Sequence, residues 1–308
     1  MAFSIPTVAN AWRYPPGEPS SWDGYHSLEL RDVQVHAPGK GEVLVKIRAV
    51  TLNSRVIIQV VYYEVAEYLP TILGSRVQGC LSQYRIFPAK FILPIPDHLS
   101  YEEGASTACA GITAFNALFD SGELTPDSTV LVLGSGGVSV LGAQFAKAAG
   151  ARVIATTSSQ EKAQKYKELG VSHVINYRET PNWAEEVKKV TDGQGVDQVL
   201  ETSGQGTLME AIRSLKAKGV VHLIGGSTEE APTTAYRDLT LGLMSSGGKL
   251  NGVTPGGKDV AQRLDSFMTQ HKLKPLLDSR VFAWEEADKA FEYLERGAHF
   301  GKVVIRVD

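Results

Sequence analysis

Residues Val130-Leu-Val-Leu-Gly134-Ser-Gly136-Gly137-Val138-Ser139 decide the reading of this chain. Four apolar residues in a row suit a strand buried on both faces, and the run ends where Gly134 permits a tight turn. Val138, Leu141, Phe145 and Ala149 then recur at helical spacing. A strand that breaks on glycines into a helix aims the positive end of that helix above the turn. Gly136 and Gly137 let the backbone approach a pyrophosphate there. Ser139 holds the third fingerprint position in place of glycine and is still small enough for close packing of helix on strand. Such a turn is common at strand-helix junctions, so its meaning rests on what surrounds it.

From Thr129 onward, short apolar runs alternate with amphipathic segments, as in repeated βα units around a parallel sheet. The runs Val130–Leu133, Arg152–Thr156, His173–Asn176, Gln198–Glu201, Val220–Ile224 and Lys249–Val253 predict six strands. Between them, Trp183, Val187 and Val190, and then Leu208, Ile212 and Leu215, keep helical spacing. Gly150, Gly170, Gly193 and Gly219 read as helix stops. Further on, Val260–His271 and Trp284–Arg296 predict helices and Lys302–Val307 a last strand. The fold class is therefore α/β, with a Rossmann-type doubly wound parallel sheet.

Towards the N-terminus the pattern changes. Leu28–Val35 and Glu42–Val50 read as strands around the turn Ala37–Gly41, and Ile57–Tyr63 reads as another. Ser100 and Glu103 have capping-box spacing ahead of a predicted helix Ala105–Phe119. We divide the chain into a nucleotide-binding domain of residues 111–271 and a β-rich domain made of 1–110 with 272–308.

Across 308 residues the net charge is -3, which offers no electrostatic footprint for nucleic acid or anionic lipid. No window approaches 18 uninterrupted apolar residues and the N-terminus has no basic and apolar signal pattern, so neither a membrane span nor secretion is expected. Two cysteines, Cys80 and Cys109, suit a reducing compartment and cannot supply a four-thiolate zinc site. A small-molecule substrate and a cytoplasmic location are the expectations.

Which dinucleotide the turn serves is read from the second strand. An NAD-binding site places Asp or Glu at its end for the ribose hydroxyls. Here the strand runs into Thr157, Ser158, Ser159, Gln160, Glu161 and Lys162, with no carboxylate at its end. The hydroxyls of Thr157 and Ser158 with the ammonium of Lys162 suit a 2′-phosphate, hence NADP(H). The competing interpretation is a serine-rich helix cap beside a solvated lysine.

Four segments, Leu133–Ala151, His173–Tyr177, Gly195–Gly204 and Gly297–Ile305, resemble the medium-chain dehydrogenase/reductase superfamily in its zinc-free quinone oxidoreductase-like and alcohol dehydrogenase-like branch. The resemblance implies a GroES-like β-barrel built from the N-terminal part plus the C-terminal strand. It also implies cofactor contacts at Gly134, Ser135, Gly136, Gly137 and Val138 for the pyrophosphate, and at Thr157, Ser158 and Lys162 for the adenosine phosphate. Tyr177 would lie near the adenine, with Ser203 and Gly204 at the end of the fourth strand. Ile224, Gly225, Gly226, Val253 and Thr254 would line the nicotinamide side, and Thr113 matches the start of the interdomain helix. Relatives pair through the sheet edge at the strand corresponding to Lys249–Val253, which implies a homodimer.

The sequence also departs from its family. The early cysteine, the Gly-His-Glu motif and the four-cysteine lobe of the zinc alcohol dehydrogenases are absent, and the early position reads Leu52-Asn53-Ser54-Arg55. No metal is expected. Between Asn53 and Leu81 several dozen family residues are missing, which makes the barrel an abbreviated one and predicts a more open cleft. The shortening fits either a misassembled or alternatively spliced frame or a lineage adapted to a bulky substrate. Without a metal, hydride transfer needs an electron-poor carbon and a donor for the developing negative oxygen. Candidate donors are Asn53, Tyr62, Tyr63 and Tyr84. An NADPH-dependent reductase of enones, quinones or related carbonyls is the leading reading. Its rivals are a fold repurposed for cyclisation or isomerisation and a non-catalytic NADPH-binding protein.

Overall fold

Strand and helix alternate from Thr129 because short runs of Val, Ile and Leu are cut by glycine turns, and each helix buries one apolar stripe. The computed structural model describes residues 5–53, 80–225 and 235–307. These divide into two compact units, one of Cys109–Gly256 and one of Met1–Ala108 with Gly257–Asp308.

In the Cys109–Gly256 unit, six strands form one sheet in which every pairing is parallel. They are β6 (Thr129–Val132), β7 (Arg152–Thr157), β8 (His173–Asn176), β9 (Val196–Glu201), β10 (Leu215–Leu223) and β11 (Lys249–Gly252). Their spatial order is β11-β10-β9-β6-β7-β8. Numbered from β6, that is the 3-2-1-4-5-6 order of a dinucleotide-binding sheet, whose direction of winding reverses between β6 and β9. Leu131, Ile154, Val199, Val187, Ile212 and Val221 make a buried core between the sheet and its helices.

The six predicted strands are all present, each end within two residues of its expected place except the start of β10. β10 begins at Leu215, and its pairing with β9 shifts between Leu215 and Val220. Gly219 therefore lies within a strand and does not stop a helix; the preceding helix Gln205–Arg213 has already ended. A side chain at Gly219 would meet the Val196 carbonyl at 2.9 Å. The helix Tyr236–Ser246 was not foreseen.

The other unit holds three small sheets among the described residues: β1 (Val8–Arg13) with β2 (Glu29–Gln34), β3 (Glu42–Lys46) with β5 (Tyr84–Pro88), and β12 (Leu277–Phe282), β13 (Lys302–Arg306) and β4 (Ala49–Thr51) in the order β12-β13-β4. The predicted strand Glu42–Val50 is thus two strands. The Ile47 amide donates to the Gln83 carbonyl at 2.9 Å, after which β4 turns away to pair antiparallel with β13. The C-terminal strand joins the N-terminal part, but no closed barrel is present among the described residues. Helix Lys258–Gln270, which the sequence reading assigns to the nucleotide-binding domain, groups with this unit. Tyr25, Leu52, Phe282, Trp284, Phe291 and Ile305 build its core. The predicted helix at Ala105–Phe119 starts at Tyr101 behind its Ser100/Glu103 capping box and is interrupted by π-turns at Thr107–Gly111 and Asn116–Asp120.

Candidate cofactor and active site

The glycine turn stands at the C-terminal end of β6, beside β9, where the winding reverses. Gly134 adopts φ +75°, a conformation that side chains disfavour, and a Cβ on either Gly134 or Gly136 would meet nothing within 4 Å. Helix Gly137–Ala148 begins behind Gly136 with no side-chain cap, so its first N–H groups have no partner within the helix. Gly134, Ser135, Gly136, Gly137 and Val138 are half-buried between the buried Leu133 and Ser139. An open cradle of amides at the end of a twelve-residue helix is suited to a phosphate.

Ser139, at the third fingerprint position, and three residues outside the fingerprint hold the turn in shape. The Ser139 hydroxyl donates to the Leu133 carbonyl at 2.6 Å, and Thr202 donates to the same oxygen at 2.9 Å. The Gly134 amide donates to Thr156 Oγ1 at 3.2 Å, and the buried Tyr166 phenol donates to the Gly134 carbonyl at 2.7 Å. Close helix packing is met by Gly142, where a Cβ would stand 2.3 Å from Leu200 Cδ1. Sequence reading reached Ser139 as a small residue but missed Gly142 and Tyr166, whose partners lie on other elements.

At the end of β7 the predicted cluster separates. Thr157 is fully buried and its hydroxyl has no hydrogen-bond partner among the described residues, so it does not face solvent as a phosphate ligand must. Ser158 is half-buried, and Lys162 lies one turn into helix Gln160–Glu168, which Ser159 caps by accepting from the Lys162 amide at 3.3 Å. Glu161 is engaged with Lys165 at 3.0 Å on the helix surface. Tyr177 is exposed beyond β8, and its amide donates to the Thr157 carbonyl at 3.0 Å, which sets its backbone next to this strand end.

Glu201 closes the other side of the switch point. Its carboxylate accepts from the amides of Ser203 at 2.7 Å and Gly204 at 2.9 Å and from the Thr207 hydroxyl at 2.7 Å. Burial pushes its carboxyl above the ordinary range, against the pull of these three donors. Ser203 is exposed above this bracket, and Gly204 has φ +97°. The Ile224 and Gly225 amides both donate to the Glu201 carbonyl, and a Cβ on Gly225 would lie 2.0 Å from the Thr202 carbonyl. Val253 is buried, and the exposed Thr254 offers its carbonyl to Asn116 at 2.9 Å. Thr113 is also buried, with its hydroxyl given to the Cys109 carbonyl at 2.8 Å, which makes it a residue of its own helix and leaves no hydroxyl for a cofactor. Gly226 lies outside the described residues.

The predicted donors of the other unit are not brought together. Asn53 follows β4 and is half-buried, with Oδ1 accepting from Lys302 Nζ at 2.7 Å. Tyr84 is on a different sheet, its ring 5.9 Å from the Lys46 ammonium across the β3-β5 pair, which is a packing role. Tyr62, Tyr63 and the predicted strand Ile57–Tyr63 lie outside the described residues. Lys302 was missed, although a lysine opening the apolar run Lys302–Ile305 is the kind of residue that burial makes consequential.

The family model described as zinc-binding dehydrogenase matches residues 137–270. A zinc-type alcohol dehydrogenase-like protein of Schizosaccharomyces pombe is 37% identical over 238 residues, which are 77% of this chain and 68% of that one. The chain belongs to the medium-chain dehydrogenase/reductase superfamily, in its quinone oxidoreductase- and alcohol dehydrogenase-like branch. Among solved medium-chain structures, an NAD-dependent alcohol dehydrogenase superposes with a TM-score of 0.81 at 26% identity, covering 97% of this chain and 100% of the other. The quinone oxidoreductase of Coxiella burnetii does so with a TM-score of 0.74 at 25% identity, over 98% and 100%. In this member of the superfamily, no three His, Cys, Asp or Glu side chains gather as a metal-binding group among the described residues. Nor is any described helix long and apolar enough to cross a membrane.

Proposed function

We propose that this chain is a zinc-independent, NADPH-dependent reductase that transfers hydride to an activated C=C or C=O, as in an enone, a quinone or a related carbonyl compound. The observation that carries this reading is the uncapped helix at Gly136–Gly137 above an open glycine cradle, beside a β7 end that has no carboxylate. Bound there, a nicotinamide dinucleotide supplies the hydride. Gly134, Ser135, Gly136, Gly137 and Val138 would hold the pyrophosphate, Ser158 and Lys162 the 2′-phosphate, and Tyr177 the adenine. Ser203, Gly204, Ile224, Gly225, Val253 and Thr254 would follow the chain towards the nicotinamide. Asn53 is the donor we assign to the substrate oxygen, since an amide N–H can stabilise developing negative charge. The likeness to a quinone oxidoreductase supports an activated acceptor. The absence of the zinc dehydrogenases' cysteine and Gly-His-Glu ligands supports a reaction that needs no metal.

The partner in this reading is a small molecule. β11 ends the six-stranded sheet, and Met244 and Tyr236 are exposed on the nearby helix Tyr236–Ser246, so we place a homodimer contact along that edge. Cys80 and Cys109 are both thiols, which suits a cytoplasmic location.

The test is NADPH consumption over a panel of enones and quinones, with deuterium tracing from 4-deuterated NADPH. Deuterium on the reduced carbon of an acceptor is expected. NADPH that binds but is never oxidised, with any acceptor, would overturn the reading, and product appearing without cofactor turnover would instead favour an isomerase or cyclase.

A further inference from the structure

Lys302 is the only buried lysine among the described residues, 4% exposed. The register of β13 against β4 pairs Val304 with Thr51, and the Leu52 amide continues it by donating to the Val303 carbonyl at 3.0 Å. Carried on by two residues, that register sets Lys302 opposite Asn53. The lysine Nζ donates to the Leu52 carbonyl and, at 2.7 Å, to Asn53 Oδ1. Asn53 Nδ2 donates one hydrogen to the Thr51 carbonyl at 3.2 Å. An amide nitrogen carries two hydrogens, and the second has no acceptor among the described residues.

An ammonium group has donors only, so it dictates which way the amide lies. The oxygen must face Nζ, because the flipped amide would set N–H against N–H. A charged donor on the amide oxygen also draws electron density from the nitrogen and makes the remaining N–H a stronger donor.

We infer that Lys302 is a positioning residue, which fixes the Asn53 amide in a single orientation so that its second Nδ2 hydrogen is offered to the substrate's carbonyl oxygen. This rests on the reading of the chain as a reductase. Lys302 does not touch the substrate; it acts through Asn53.

Four variants of the full chain test it: Lys302→Met, Asn53→Ala, Asn53→Asp and the double variant K302M/N53A. The first readout is the side-chain amide resonance of Asn53 in a 15N-labelled protein, assigned by its disappearance in N53D. In K302M this resonance is expected to move to the position of a solvent-exposed asparagine; an unmoved resonance would overturn the inference. The second is kcat with a good acceptor at saturating NADPH. N53A should lower kcat about 100-fold and K302M about tenfold or more, with the NADPH KM unchanged in both. The double variant should be no slower than N53A alone, because the two act as one device. Multiplying losses would overturn it.

If K302M does not fold, N53D decides, since its carboxylate gives the buried ammonium a partner yet has no N–H to offer. A stable N53D with wild-type kcat would sink the inference, and a stable N53D as slow as N53A is expected. Wild-type protein inactive on every acceptor would overturn the reductase reading itself, whereas active wild type with unimpaired K302M would remove only the role of Lys302.

Discussion

The buried phenol of Tyr166 donates to the carbonyl of Gly134 across 2.7 Å, which ties the helix after β7 to the turn after β6. Burial drives the phenol's pKa upward, so it stays protonated and remains a donor at any physiological pH. Tyr166→Phe keeps the packing and removes the bond. We expect a stability loss of about 1 kcal/mol in chemical denaturation, together with weaker dinucleotide binding. Unchanged affinity by titration calorimetry would show that the turn keeps its shape unaided.

On the proposed reading, the choice between NADPH and NADH falls to Lys162. With Thr157 buried, the 2′-phosphate would depend on Ser158 and Lys162. Lys162→Ala should weaken NADPH binding by on the order of 1.5–3 kcal/mol, about 10- to 100-fold, and leave NADH affinity unchanged. Equal binding of the two cofactors by the wild type, unaffected by the substitution, would disprove the assignment.

Gly142 tests how close the first helix must come to the sheet. Alanine is the better helix former by up to about 1 kcal/mol, yet its Cβ would stand 2.3 Å from Leu200 Cδ1. Leu200 is itself fully buried and has little room to turn aside. Gly142→Ala should therefore destabilise the protein by about 1–3 kcal/mol, read as a lower Tm. A higher Tm would mean that the core yields at this point.

His222 makes stability depend on pH. It is fully buried, with Nε2 3.0 Å from Gln198 Oε1 and Nδ1 3.3 Å from the Asn251 amide nitrogen. Gln198 gives its own amide hydrogens to the carbonyls of Gly122 at 2.7 Å and Leu118 at 3.4 Å, so its oxygen faces the imidazole. The neutral ring with its proton on Nε2 satisfies both neighbours; a second proton on Nδ1 would meet the Asn251 N–H. Burial lowers the His222 pKa from 6.5 to about 4. As pH falls below 6.5 the unfolded chain takes up this proton and the folded chain does not. Stability is thus complete above pH 6.5 and declines down to about pH 4, by a total of about 3 kcal/mol. His222→Gln should flatten this part of a pH series of denaturation curves, and an unaltered slope would assign it to other groups.

How far the sequence reached depends on the range of the interactions involved. Val130–Ser139 identified a parallel α/β sheet with a glycine turn at the start of a helix because strand, turn and helix are local features, fixed by neighbours along the chain. The predicted contacts Gly136, Gly137 and Ser158 need only backbone freedom or a strand end, and they stand half-buried at the ends of β6 and β7. Thr157 belongs to the same strand end and Thr113 to a helix start, but their burial depends on which face of an element packs inward, and residues distant in sequence set that. The division of Glu42–Val50 into two strands was hidden for the same reason, since its halves answer to β5 and β13. Glu201 was quoted within a motif, but its grip on the Ser203 and Gly204 amides needs a loop that doubles back on the strand end. By itself, then, the sequence determined the fold class, the glycine cradle and the want of a carboxylate at the end of β7, all properties of contiguous residues. Only the tertiary structure decided that Tyr166 supports Gly134 and that Lys302 meets Asn53, because those pairs are 32 and 249 residues apart and only the folded chain brings them together.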